Sequence, residues 1–247
     1  MTGGKGRVLV RAGSVSRLSV AQRREVMQQL RHCLRLGEDF TDFHRAARRL
    51  PEFRWVATAG AGRLLRSPTV FEDAVKLICT TNCSWRLTTL MIEHLVHIAG
   101  DRIQEGMHAF PTPAQLASLS ERTVRDRVKA GYRSPYLIAF ARAVASGTID
   151  PESWRTSPLS TPELFREMLS VKGIGPYAAG NLLKLVGRYD ELGLDSWVRK
   201  RFGELHRKGK PASDRIIERH YAPLGKWRGL FFWLDMTRER LERNVAL

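Results

Sequence analysis

"TPELFREMLSVKGIGPYAAGNLLKLVG", residues 161–187, reads as helix, tight turn, helix. Leu164, Met168 and Leu169 share one face of the first segment. Ala179, Leu182, Leu183 and Val186 recur at i, i+3, i+4 and i+7 in the second. Ser160 and Thr161 stand as candidate caps of the first helix, and Pro162 suits its first turn. Between the helices, Gly173 and Gly175 free the backbone and remove side chains from the approach path. Several N–H groups then face outward at the start of the second helix, whose dipole favours an anion. Such a turn can hold a backbone phosphate without reading a base, or it can simply join two helices.

A single carboxylate, Asp195, follows in "LGLDSWVRK", residues 192–200. Either it or Ser196 can cap a helix beginning near Trp197. A carboxylate beside a phosphate-gripping turn also suits cleavage of an N-glycosidic bond. The transition state of that reaction is oxocarbenium-like, so a fixed negative charge stabilises it, and the same group can orient or deprotonate a water. One residue can cap and catalyse.

The composition points to a polyanionic partner. The chain has 247 residues, enough for a real core, with an ordinary hydrophobic share of 43%. Forty-one Lys and Arg against twenty-five Asp and Glu give a net charge of +16, and the pI is near 10.6. That balance is the electrostatic footprint of a nucleic-acid binder. No apolar run approaches the roughly 18 residues of a membrane span, and no signal-peptide core opens the sequence. The expected setting is cytoplasmic, at a prokaryotic nucleoid, with no membrane partner. Cys33, Cys79 and Cys83 do not make a closed set of disulfides and suit a reducing compartment. Cys79 and Cys83 stand at i, i+4 without a second pair, so they read as small buried thiols. His94 and His97 read as surface or partner residues and not as metal ligands.

Helical periodicity runs through almost everything after residue 70. Helices are predicted over 70–79 and 85–100, broken at 80–83, then over 110–120, 121–131, 134–147 and 160–171, with two more between 214 and 244 joined at 223–225. Two stretches alternate like strands, "RVLVRAG" at 7–13 and "EFRWVATA" at 52–59. The expected fold is mainly α, α+β overall, with two helical lobes and a small N-terminal β layer. An N-terminal α+β layer, residues 1–70, would pack on a helical body, residues 71–247, containing the hairpin 171–175.

The hairpin with its downstream aspartate resembles the signature of the helix-hairpin-helix DNA glycosylase superfamily. "FEDAVKLICTTNCSWRLTTLMIEHL" (71–95) and "VKAGYRSPYLIAFARAV" (128–144) are similar, in order and position, to segments of its 8-oxoguanine glycosylase branch. "LRLGEDFTDFHRAARRLPEFRW" (34–55) and "GAGRLLRSP" (60–68) fit that branch more loosely. The likeness covers residues 30 to 240. It implies that Asp195 is the catalytic aspartate, and that Val171, Lys172, Gly173 and Gly175 grip backbone phosphate, with a monovalent cation at the hairpin carbonyls. It also implies that Asn82 and Arg133 meet the orphaned base and that Tyr132 wedges into the stack. An aromatic can replace a lost stacking partner, and Asn or Arg can satisfy a pairing edge.

Tyr177 stands where bifunctional members of the superfamily carry a Schiff-base lysine. Lys172 precedes the hairpin and Lys184 lies two turns along the helix, so neither replaces that lysine. The four-cysteine cluster of the endonuclease III branch is missing from the sequence. "YAPLGKWRGLFFWLDMT" (221–237) is similar to the helix closing the base pocket, with Gly229 where oxidised-purine enzymes carry a recognising amide. Trp233, with Tyr177, is a candidate for the base pocket, while Trp227, Phe231 and Phe232 fit either pocket or core. Asn82 and the Gly131-Tyr132-Arg133 run suggest an oxidised purine; Tyr177 and Trp233 suggest an alkylated one. The expected protein is a monomeric, monofunctional DNA glycosylase of base excision repair. Its partner is double-stranded DNA containing a damaged base, and its chemistry calls for no cofactor and no catalytic metal. The alternatives are a glycosylase with lyase activity and a non-catalytic sensor of damaged DNA.

Overall fold

The computed structural model describes residues 17–245, with side chains as far as Glu239. Helix α1 (Val20–Cys33) starts at a capping box, in which the Ser19 hydroxyl accepts the Gln22 amide and the Gln22 side chain accepts the Ser19 amide. Helix α2 (Thr41–Arg49), a 3-10 turn (Pro51–Phe53) and helix α3 (Arg54–Thr58) follow. The strand predicted over 52–59 is therefore helical. Phe53 and Val56, three apart, are its buried residues, and Pro51 opens the first turn. The apparent period-2 alternation of Phe53, Trp55 and Ala57 is a coincidence of composition. The predicted strand 7–13 lies outside the described residues.

Helices α4 (Val70–Thr80) and α5 (Trp85–Ala99) are capped by the side chains of Thr69 and Ser84, which accept the amides of Glu72 and Leu87. The turn between them falls where the sequence predicts it. Among the described residues the small β component comes next: β1 (Arg102–Gln104) pairs antiparallel with β2 (Met107–His108) around Glu105 and Gly106. Gly106, at φ +71°, supplies the left-handed turn residue.

Helices α6 (Pro113–Ala117) and α7 (Glu121–Asp126) precede a 3-10 turn at Gly131–Arg133 and helix α8 (Ser134–Ala145). The helix predicted to run to Gly131 ends at Asp126, with Arg127 as its cap, and Lys129 takes a positive φ of 66° beyond it. The chain then continues through α9 (Thr161–Leu169), α10 (Pro176–Leu185), α11 (Ser196–His206), α12 (Asp214–Tyr221) and α13 (Arg228–Val245).

Three apolar clusters hold these helices. The first joins Ile78, Leu95, Leu137, Trp154 and Leu164 to Ala179, Leu182 and Leu183 of α10. A second packs Phe40, Phe43, Phe53 and Val56 on Tyr189, Leu230, Phe231 and Leu234. The third joins Val198 and Phe202 of α11 to Ile217, Tyr221, Phe232 and Met236. Each large side chain so buried contributes about 1.5–3 kcal/mol. The segment 186–195 thus runs between a helix anchored in the first cluster and a helix anchored in the third. No helix among the described residues is long and apolar enough to cross a membrane.

Candidate active site at the hairpin and Asp195

The hairpin is built as its sequence requires. Val171 is buried, and its carbonyl accepts the Ile174 amide at 3.0 Å. One of its lone pairs stays available to the monovalent cation that the resemblance implies. Gly173 has φ +94°, and a Cβ there would lie 2.7 Å from the Cβ of Tyr136, so no larger residue fits. A Cβ on Gly175 would instead meet open space. Pro176 at the first position of α10 costs no hydrogen bond. Lys172 is exposed.

Asp195 caps α11. Its Oδ1 accepts the Val198 amide at 2.7 Å, and its Oδ2 has no protein donor among the described residues. Asp195 is half-buried. Tyr177, in the first turn of α10, lies near enough to feel its charge: burial pushes the phenol pKa up, a bond with Thr80 opposes this, and the charge of Asp195 raises it further. Tyr177 therefore stays a neutral donor beside a carboxylate at ordinary pH.

Lys184 takes no part in that surface. It is fully buried, and its Nζ donates to the carbonyls of Gly180, Glu191 and Leu192 at 2.9, 3.2 and 2.7 Å. Burial lowers its pKa to about 7, with Glu191 opposing the shift. Three carbonyls surround Nζ, so Lys184 fastens the strap before Asp195 to α10. Sequence reading treated Lys184 only as a nucleophile that fails on geometry; the loop it anchors is invisible to periodicity.

The Thr81–Asn82 turn directly follows Thr80, whose side chain bonds Tyr177. Asn82 is exposed, with φ +46°, and its Nδ2 donates to the Tyr132 hydroxyl at 3.3 Å. Tyr132 is 51% exposed and stands edge-on to Tyr136, ring centroids 6.5 Å apart. Tyr136, which also touches Gly173, was not singled out from sequence. Arg133 differs from its neighbours: it is 4% exposed, and it donates to the carbonyls of Thr81 and Ala130 while lying 4.5 Å from the Tyr132 ring centroid. Reaching an orphaned base would cost it those bonds, so here it buttresses Asn82 and Tyr132.

On α13, Phe231 and Phe232 belong to the core. A Cβ on Gly229 would lie 2.1 Å from the Glu191 carbonyl oxygen, so glycine is what lets α13 approach the strap. Trp233, one turn on, is 36% exposed. The thiols turn inward: Cys83 donates to the Cys79 carbonyl at 3.2 Å, and burial pushes the Cys79 pKa up to about 12. A separate cavity of about 950 Å³, lined by His32, Glu38, Arg66, Arg155, Tyr189 and Trp227 among others, includes neither Asp195 nor Tyr177.

No family model matches the chain. A DNA-3-methyladenine glycosylase of Bacillus subtilis strain 168 is 24% identical over 228 residues, covering 85% of this chain and 74% of that protein. The chain spans 58% to 74% of the length of the curated relatives it matches. Its structure is similar to that of the Clostridium acetobutylicum 8-oxoguanine glycosylase/lyase in complex with double-stranded DNA containing cytosine opposite 8-oxoG. The TM-score is 0.73 at 22% identity, covering 89% of this chain and 77% of that one. It is also similar to a 3-methyladenine DNA glycosylase from Archaeoglobus fulgidus, with a TM-score of 0.71 at 20% identity over 90% of this chain and 77% of that one. The chain has the fold of the helix-hairpin-helix DNA glycosylases, and its relatives in both sequence and structure are glycosylases of that superfamily.

Proposed function

We propose that this protein is a monofunctional DNA glycosylase of base excision repair, which flips a damaged purine from duplex DNA and hydrolyses its N-glycosidic bond. The observation that carries the reading is the division of labour at Asp195, near Tyr177, where one oxygen holds the helix and the other has no protein donor among the described residues. A carboxylate fixed by a cap does not reorganise as positive charge develops on the sugar, which is the condition for electrostatic stabilisation. Its second oxygen can accept a proton from water aimed at the anomeric carbon. The hairpin holds backbone phosphate, and Tyr132 fills the space left by the flipped nucleotide while Asn82 meets its former partner.

Water is the nucleophile. A lyase needs an amine that forms an imine, and Tyr177 has none. Lys184 is sealed under three carbonyls, and Lys172 precedes the hairpin on the exposed side. The lesion we assign is an alkylated purine: such a base carries positive charge that aromatic faces attract, and Trp233 and Tyr177 are the faces assigned to it. Gly229 offers no amide to an oxidised ring. Mass spectrometry of the bases released from alkylated and oxidised DNA tests the lesion class. The expected product strand is an intact abasic one, cut only by hot alkali and never trapped by borohydride. Efficient borohydride trapping that disappears on mutating Lys172 or Lys184 would overturn the monofunctional reading.

A further inference from the structure

Away from the hairpin, His206, His220 and Asp235 come together where three helices meet. Each offers one donor atom, and these atoms all lie within 4.8 Å of one another. His206 is in the last turn of α11, His220 near the end of α12, and Asp235 midway along α13. His206 Nε2 stands 2.8 Å from Asp235 Oδ2, and the His206 and His220 ring centroids are 4.6 Å apart.

We propose that His206, His220 and Asp235 form a binding site for a divalent transition-metal ion of the zinc class, which ties α11, α12 and α13 together at the end of α11 away from Asp195. Two imidazoles and one carboxylate are the donor set that a borderline ion such as zinc prefers over magnesium or calcium, which take mainly oxygen. Bonds of about 2.0–2.2 Å put donors of a tetrahedral site roughly 3.3–3.6 Å apart, so side-chain rotations that open the 2.8 Å pair and draw the third donor in would bring the present spacings into range. Both histidines are exposed enough for an ion to enter and for water to complete the coordination.

The surroundings are those of a constructed site. Tyr221 donates its hydroxyl to Asp235 at 2.5 Å, which orients the carboxylate as outer partners of metal ligands do. Phe202 packs on both imidazoles, with ring centroids 4.7 and 5.1 Å away, and Phe202 and Tyr221 belong to the apolar cluster that joins the same three helices. That cluster limits the freedom of the histidines, so less order is lost when they bind. The charge of Glu52 also reaches His220 and adds to the negative field. A metal held here would stabilise the folded chain in proportion to its occupancy, because an unfolded chain does not keep three donors from three helices together.

The test uses the full chain freed of metal by dialysis against chelator. Zinc chloride is titrated by calorimetry, and thermal unfolding is followed with and without zinc, with magnesium chloride in parallel. The proposal expects one zinc per chain bound through this triad. It expects a rise in Tm of about 5–10 °C at a hundredfold excess over the Kd, and no effect of magnesium. His220→Gln and His206→Gln should both fold, with Tm values near that of the metal-free wild type, and should lose the zinc-dependent rise. Zinc binding that survives both substitutions would belong to the cysteines or to other histidines and would overturn the proposal. Absence of any zinc-dependent stabilisation in the wild type would overturn it equally.

Discussion

Lys184 donates to the carbonyl of Leu192 at 2.7 Å, which fastens the chain three residues before Asp195 to the helix that follows the hairpin. The hairpin and the carboxylate are therefore parts of one unit, and the spacing between them is held by the buried Lys184.

Lys184→Met keeps the length of the side chain and removes its donors. We expect lesion binding to persist while single-turnover excision falls about 10- to 100-fold, the cost of a carboxylate displaced by around 1 Å. The substitution also has a signature in pH. In the folded protein the pKa is lowered to about 7 from the ordinary 10.5, so between these values the unfolded chain binds the extra proton and stability rises with pH. The wild type should gain up to ~1.4 kcal/mol per pH unit across that window relative to the Met variant. Parallel urea-unfolding profiles for the two proteins between pH 7 and 9.5 would remove Lys184 from this account.

Asn82 and Arg133 are expected to separate cleanly. Asn82→Gly tolerates the positive φ and should change stability by less than about 0.5 kcal/mol while flattening opposite-base preference by about 1–3 kcal/mol. Arg133→Ala removes the guanidinium bonds to the Thr81 and Ala130 carbonyls, which keep only the Tyr132 hydroxyl and the residue-133 amide as donors, and should cost about 1.5–3 kcal/mol in stability, with the base preference lost as a consequence. Excision measured against all four opposing bases, with denaturant unfolding alongside, distinguishes them. An unchanged base pattern in the Asn82 variant would refute its assignment.

The hairpin and its two helices were legible because glycine and proline punctuation and helical periodicity agree over 160–187, and the Asp195 cap was legible for the same reason. What failed was a choice of period: Phe53, Trp55 and Ala57 alternate, yet Phe53 and Val56 are the residues that reach the core. The 102–108 hairpin carried a readable Glu-Gly turn that helical surroundings obscured. Arg133 and Lys184 show a different limit. Their charges suggest contact with DNA or sugar, but both are buried on carbonyls of loops outside their own helical turns, and no local pattern announces where a loop will fold back.

His32 sets an acid limit on stability. Burial, and then the charges of Arg66, Arg155 and Arg35, lower its pKa from 6.5 to about 4, so the native imidazole is neutral and accepts a hydrogen bond from Arg155. Because the unfolded chain takes up a proton at 6.5, the stability His32 contributes is complete above that pH and is lost as pH falls toward 4. Unfolding free energies of the wild type and of His32→Asn should converge over this window. A constant difference from pH 7 to pH 4 would contradict the assignment.

The most direct test of the whole account is single-turnover excision by Asp195→Asn on duplex DNA bearing the lesion that the wild type releases best. Asparagine caps a helix as well as aspartate does, so the Val198 amide keeps its acceptor and the fold should be unchanged. We predict wild-type thermal stability, retained lesion binding and a fall in excision rate of about 10³-fold or more, since charge stabilisation and general-base action are lost together. Excision at the wild-type rate by this variant would contradict the claim that Asp195 carries the reaction.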